Sequence, residues 1–183
     1  MAKEKFWVMW IAVAIIVTLV GTSIYLGTLV GKMEDMEDKL AFGQANTSHR
    51  VLQELPATGE AHKSYIPSYS HVYGDGGKPL LLETTLILRN TDPELPIQII
   101  SVEYVDSRGS RIEQMVKQPI ELGPLASAEY LAKKSDIRGG SGASFVVTWQ
   151  SEQPVATPIF EAVMVGSSEY TEISVTSRGQ AVR

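Results

Sequence analysis

No charged residue interrupts the chain between Phe6 and Gly31. A helix of about 20 apolar residues covers a hydrocarbon core of about 30 Å, and the run WVMWIAVAIIVTLVGTSIYLGTLV is longer than that. Residues 6–31 are therefore read as a transmembrane helix, with the lipid bilayer as its partner. The competing reading is a cleaved signal peptide, whose apolar core spans about 7–15 residues and ends at a small-x-small site. Here the run is longer and no Ala-x-Ala follows it. An uncleaved signal anchor is expected, with Trp7 and Trp10 at one interface and Tyr25 nearer the other.

Lys3 and Lys5 precede the span, and Lys32, Lys39 and Arg50 follow it, so basic residues alone leave the orientation open. A short N-terminal tail ahead of a long translocated domain is the usual signal-anchor outcome. The expectation is a single pass through the inner (cytoplasmic) membrane, N-terminus inside, with the remainder periplasmic or otherwise extracytoplasmic. Gly27 and Gly31 form a G-x-x-x-G that would let a second helix approach closely. Leu29, Met33, Met36 and Leu40 then recur as an a/d-like stripe on a helical extension, too short for an autonomous coiled coil. Gly27, Gly31, Met33, Met36 and Leu40 are the candidate helix-packing residues; the alternative is a solvated helix end.

Residues 1–42 thus comprise tip, anchor and extension. Residues 43–63 have linker composition, with Gly, Pro, Asn, Thr and Ser scattered among few apolar positions. Asn46-Thr47-Ser48 fits a glycosylation sequon, which is without meaning in a bacterial protein. From residue 64 to 183 the texture changes to short β-favouring runs: YIPSYSHVY, PLLLETTLILR, PIQIISVEYVD, RIEQMVKQPIEL, SAEYLA, ASFVVTWQ, PIFEAVMV and YTEISVT. Gly, Asn, Asp and Pro clusters punctuate them, the pattern of a mainly β fold, an antiparallel immunoglobulin-like β-sandwich. Period-two alternation assigns to the core Phe145, Val147 and Trp149; Phe160, Ala162 and Met164; Ile100, Val102 and Tyr104; and Leu80, Leu82, Thr84, Leu86 and Leu88.

The chain has no cysteine, which excludes disulfides, thiolate metal sites and a catalytic thiol. Sixteen basic and 21 acidic residues give a net charge of −5, so nucleic acid is not an expected partner.

The segments Tyr65-Ile66-Pro67, Tyr69 to Tyr73, Leu88 to Asp92, Gly123 to Ser127, Gly139 to Ala143 with Phe145 and Trp149, Glu161 to Gly166 and Ser177-Arg178-Gly179 resemble the bacterial domain-of-unknown-function family three-one-two-four. The resemblance implies an N-terminal export or membrane segment and a small extracytoplasmic domain, and it brings no activity. A looser fold-level similarity to water-stress type β-sandwiches carries little about function.

His71 is the one histidine between residues 64 and 183, flanked by Tyr69 and Tyr73, with Asp75 nearby; His49 and His62 fall in the linker. Nothing converges on His71 as a metal site or an acid/base pair would require, so a structural or surface role is expected, with no metal and no cofactor. Gly139-Gly140-Ser141-Gly142 fails as a nucleophile elbow because Ala143 replaces the last glycine, and as a phosphate cradle because no G-K-[ST] follows. A tight loop feeding a strand is expected, its backbone amides open to a partner. Tyr65, Tyr69 and Tyr73 on an edge strand would share a face and form an aromatic contact strip, or simply line the rim of the core. Tyr65, Tyr69, Tyr73, Gly139, Gly140 and Ser141 are accordingly the candidate partner contacts. The chain is expected not to be an enzyme but an accessory or scaffolding subunit of a larger membrane complex, binding other membrane protein subunits, with a homodimer open. The alternatives are a free-standing envelope ligand-binding or stress-protective module, and a tethered hydrolase using Ser141 or His71.

Overall fold

The computed structural model describes residues 2–40, 49–54, 59–74, 76–168 and 172–182. They fall into two compact units, Met1–Asn46 and Thr47–Arg183.

The first unit is one helix, α1 (Ala2–Leu40). Within it Val13–Glu34 is long and apolar enough to cross a membrane, and none of it is buried. A helix suits that setting because it satisfies its own backbone groups. The threonines follow suit: the hydroxyls of Thr18, Thr22 and Thr28 donate back to the carbonyls of Ala14, Leu19 and Tyr25 at 2.7, 2.9 and 2.7 Å. The helix continues past the uncharged run, as the stripe from Leu29 onward implies.

The second unit is built of strands: β1 (Arg50–Val51), β2 (His62–Pro67), β3 (His71–Gly74), β4 (Lys78–Leu81), β5 (Glu83–Arg89), β6 (Ile97–Val105), β7 (Arg111–Gln114), β8 (Ile120–Leu122), β9 (Ser127–Ala132), β10 (Ser144–Gln150), β11 (Ile159–Ser167), β12 (Glu172–Arg178) and β13 (Gln180–Val182). One sheet runs β1-β8-β6-β10-β2-β13 with β7 also on β6; a second runs β12-β11-β5-β9; β3 and β4 pair separately. Every pairing is antiparallel. The mainly β, antiparallel class is as the sequence indicates. The strand order differs from the ABED and CFG sheets of an immunoglobulin domain: consecutive β10 and β11 go to opposite sheets, β10 beside β2 and β11 beside β5.

Structure also reaches into the stretch read as linker. Arg50 and Val51 pair with Glu121 and Ile120, the Leu52 amide donates to the Pro119 carbonyl at 2.8 Å, and His62 and Lys63 open β2. The Asn46 sequon lies outside the described residues.

The two main sheets share one apolar core that includes Ile66, Leu86, Leu88, Val102, Tyr104, Phe145, Val147, Phe160, Ala162 and Met164. Strict alternation fails at one place. Thr148 pairs with Ser101 but Trp149 pairs with Ile99, so Ile100 is an extra residue, a β-bulge. Past the bulge Ile97 and Ile99 take the core positions, Ile100 is half-buried, and Gln98 is buried opposite Gln150. Trp149, also half-buried, meets the Phe160 ring edge-on at 6.3 Å.

At one flank the chain passes directly from sheet to sheet. Gly179 separates β12 from β13, and its amide donates to the Phe160 carbonyl at 2.8 Å. A Cβ there would lie 2.8 Å from Ile66 Cγ1, so backbone and core side chain touch where only glycine fits. The Ser177 hydroxyl donates to the Pro67 carbonyl across the same seam.

Candidate functional site

The three tyrosines do not form an edge strip. Tyr65 sits on β2, an inner strand between β10 and β13. Tyr69 is half-buried in the connection after β2 and packs on the core. Tyr73 on β3 is 63% exposed. The common face is lost because the chain turns between β2 and β3: the Ser68 and Ser70 amides donate to Ala143 and Gly140 carbonyls at 2.9 and 3.1 Å, and Ser70 in turn accepts from the Leu82 amide. His71 Nε2 lies 3.0 Å from the Tyr73 hydroxyl with the rings edge to face, a pairing internal to the β3–β4 hairpin. Asp75 lies outside the described residues.

The glycine-rich loop is an internal clamp. Asp136 caps a single turn, Ile137–Gly139, by accepting from the Arg138 amide at 3.1 Å, and also from Arg138 Nη2 at 2.7 Å. The Arg138 guanidinium holds the Asp136 carboxyl below its ordinary range and reaches Glu113 at 3.4 Å. Gly139 is buried, and a Cβ on it would overlap the Tyr104 hydroxyl and lie 2.8 Å from Ser70 Oγ. Those two hydroxyls bond each other at 3.2 Å. The Gly139 and Gly140 carbonyls accept from the Ser107 and Ser70 amides, both at 3.1 Å, and the Gly140 amide donates to Ile137 at 3.2 Å. The amides expected to face a partner are thus partly spent on the fold, and Gly140, at φ +72°, is the position that favours glycine conformationally. Ser141 is exposed. Among the described residues no group of His, Asp and Glu could hold a metal ion.

On the helix, a Cβ at Gly27 or Gly31 would meet open space, and Met33 and Met36 are 64% and 59% exposed. The Leu40 side chain lies outside what the structure describes.

A denser constellation surrounds Asn90, which the sequence marks as a turn residue within the Leu88 to Asp92 segment of the resemblance. Asn90 is 2% exposed. Its amide nitrogen donates to the carbonyls of Leu95, Leu122 and Gly123 at 2.8, 3.2 and 2.9 Å, and its oxygen accepts from the Asp92 amide at 2.9 Å. Asp92 accepts from the amides of Glu94, Leu95 and Ala156, and these bonds, Ala156 foremost, hold its carboxyl below the ordinary value of 3.8. Together they tie the β5–β6 connection, the β8–β9 turn and the loop before β11 into one knot.

Because the depressed value belongs to the folded state, the stabilisation from Asp92 is present above pH 3.8 and is lost as pH falls through the folded value. Asp92→Asn should therefore destabilise at neutral pH, with the gap to the parent closing below about pH 4 in urea unfolding midpoints. A gap independent of pH would show that the carboxylate charge is not what these amides hold.

One concavity is a groove of about 610 Å³ lined by His62, Lys63, Trp149, Glu152, Pro154 and Phe160 among others. His62, expected to be loose in a linker, packs against Trp149 with ring centroids 4.7 Å apart and the planes tilted by 35°. No local signal marks this pair, since β2 and β10 bring it together across the chain.

A family model described as a protein of unknown function, DUF3124, matches residues 61–182. No curated protein matches the chain. Among solved structures, the crystal structure of Thermotoga maritima 1070 is similar at 14% identity with a TM-score of 0.40, covering 65% of this chain and 92% of that one.

Proposed function

We propose, for a chain that belongs to the DUF3124 family, that it is a single-pass membrane protein whose β-domain faces the extracytoplasmic side and acts by binding, as an accessory or scaffolding subunit of a membrane assembly. The observation that carries this reading is α1: its described side chains from Phe6 to Gly31 are all exposed although the segment is apolar, so a bilayer is the medium that would cover them. The β-domain supports it from the other side. The polar groups at Asn90, Asp92, Asp136 and Gly139 are spent on holding loops together, which fixes the loop surfaces that a binding partner would meet.

The test is purification of the full-length protein from its native membrane in mild detergent, followed by sizing and mass spectrometry. Recovery of the same second membrane protein at fixed stoichiometry supports an accessory subunit. Recovery of this chain with no other protein overturns it. A second reading, a free-standing ligand-binding module, is favoured by the groove at His62 and Trp149; quenching of Trp149 fluorescence by envelope extract that is lost in His62→Ala would support it.

A further inference from the structure

We propose that β12 is a dimerisation edge, pairing antiparallel with β12 of a second copy about a two-fold axis at Val175. The inference goes beyond the accessory reading and rests on neither the anchor nor the groove.

Among the described residues β12 is the longest strand with a strand neighbour on one side alone: β11 covers one edge, and the other is unpaired. In an antiparallel pair, alternate residues turn their N–H and C=O groups away from the neighbour, so β12 presents a row of unspent donors and acceptors. Sheet proteins normally blunt such an edge with lysine, proline, a bulge or short length. The sequence Glu172-Ile173-Ser174-Val175-Thr176-Ser177-Arg178 has neither lysine nor proline, and its register with β11 runs unbroken from Arg178 opposite Glu161 to Glu172 opposite Ser167.

The sequence of this edge is complementary to itself. With Val175 opposite its own copy, Glu172 faces Arg178 of the second copy, Ser174 faces Thr176, and the symmetry repeats both pairs. Glu172, Ser174, Thr176 and Arg178 are all exposed and occupy alternate positions, hence one face. Opposite charges and Ser–Thr pairs are favourable cross-strand neighbours, and like charges are not. Slipping the register to set Glu172 against Glu172, or Arg178 against Arg178, turns the end pairs repulsive. Arg178 already lies 3.8 Å from Glu161, which has a second cation in Arg89 at 3.5 Å. Turning Arg178 toward a second copy therefore leaves Glu161 partnered.

The test uses the full-length chain in detergent, with mass measured across a dilution series. A dimer is expected, with Glu172→Arg or Arg178→Glu alone weakening it about tenfold or more, and the double variant E172R/R178E restoring it. The absence of native cysteine allows a second readout independent of charge. Ser174→Cys and Thr176→Cys chains, directly opposed in this register, should form a disulfide when mixed. Ser174→Cys alone should not, since its symmetry mate lies diagonally across at about 7–8 Å. A chain monomeric at every concentration, a dimer indifferent to both reversals, or cross-linking of Ser174→Cys with itself but not with Thr176→Cys would overturn the proposal.

Discussion

Asn90→Ala should destabilise the β-domain by about 3 kcal/mol, and the isosteric Asn90→Asp by at least as much. Truncation removes the donor to the Leu95, Leu122 and Gly123 carbonyls and the acceptor for the Asp92 amide. Each buried group left unpartnered costs about 1–3 kcal/mol, moderated by whatever water enters. The Asp variant keeps the shape and inverts the chemistry, setting a second oxygen against three carbonyl oxygens. It must either take up a proton or repel them. For a domain of this size the loss corresponds to a fall in Tm of about 10 °C, measurable by far-UV circular dichroism on the full-length protein in micelles. An Asn90→Asp variant that melts with the parent would show that the amide donors are not what holds the knot.

The second large effect is expected from one added methyl group. Gly139→Ala should cost about 2–3 kcal/mol by overpacking, because the new Cβ would overlap the Tyr104 hydroxyl and lie 2.7 Å from Ala143 Cβ and 2.8 Å from Ser70 Oγ. Part of that cost is specific to the hydroxyl, so Tyr104→Phe should recover some of it. Tyr104→Phe alone should cost about 1 kcal/mol, since it leaves Ser70 Oγ without this partner. The two changes together should then destabilise by less than their sum. Strict additivity in urea unfolding would mean that the loop yields elsewhere, away from Tyr104.

These two positions show how far sequence alone reaches. The helix was legible because an uncharged run of that length has few alternatives, and the inner faces of β5 and β11 because Leu86 and Leu88, or Phe160 and Met164, alternate without interruption. Alternation misplaces Ile100 because a bulge changes parity without leaving a local mark; it exists only in the pairing of β6 with β10. The tyrosine strip failed for a related reason. Spacing becomes a shared face only while a strand continues, and the turn after Pro67 is set by carbonyls of Ala143 and Gly140 far along the chain. Asn90 and Gly139 both read locally as turn residues, yet their roles depend on partners in other segments: Leu122 and Gly123 for one, Tyr104 and Ser70 for the other. His62 reads as linker because nothing near it in sequence signals that Trp149 meets it.

The seam at Gly179 bears on the order of events during synthesis. β2 is the first long strand to emerge, and of its two neighbours β13 follows near residue 182, with Val182 opposite Lys63; the Ser177 bond to Pro67 spans 110 residues. Closing so long a loop is slow, and its cost falls due before the contact rewards it. During synthesis the edge of β2 that β13 covers therefore stays bare until residues 180–182 have been added. That interval is when a holding chaperone would find it.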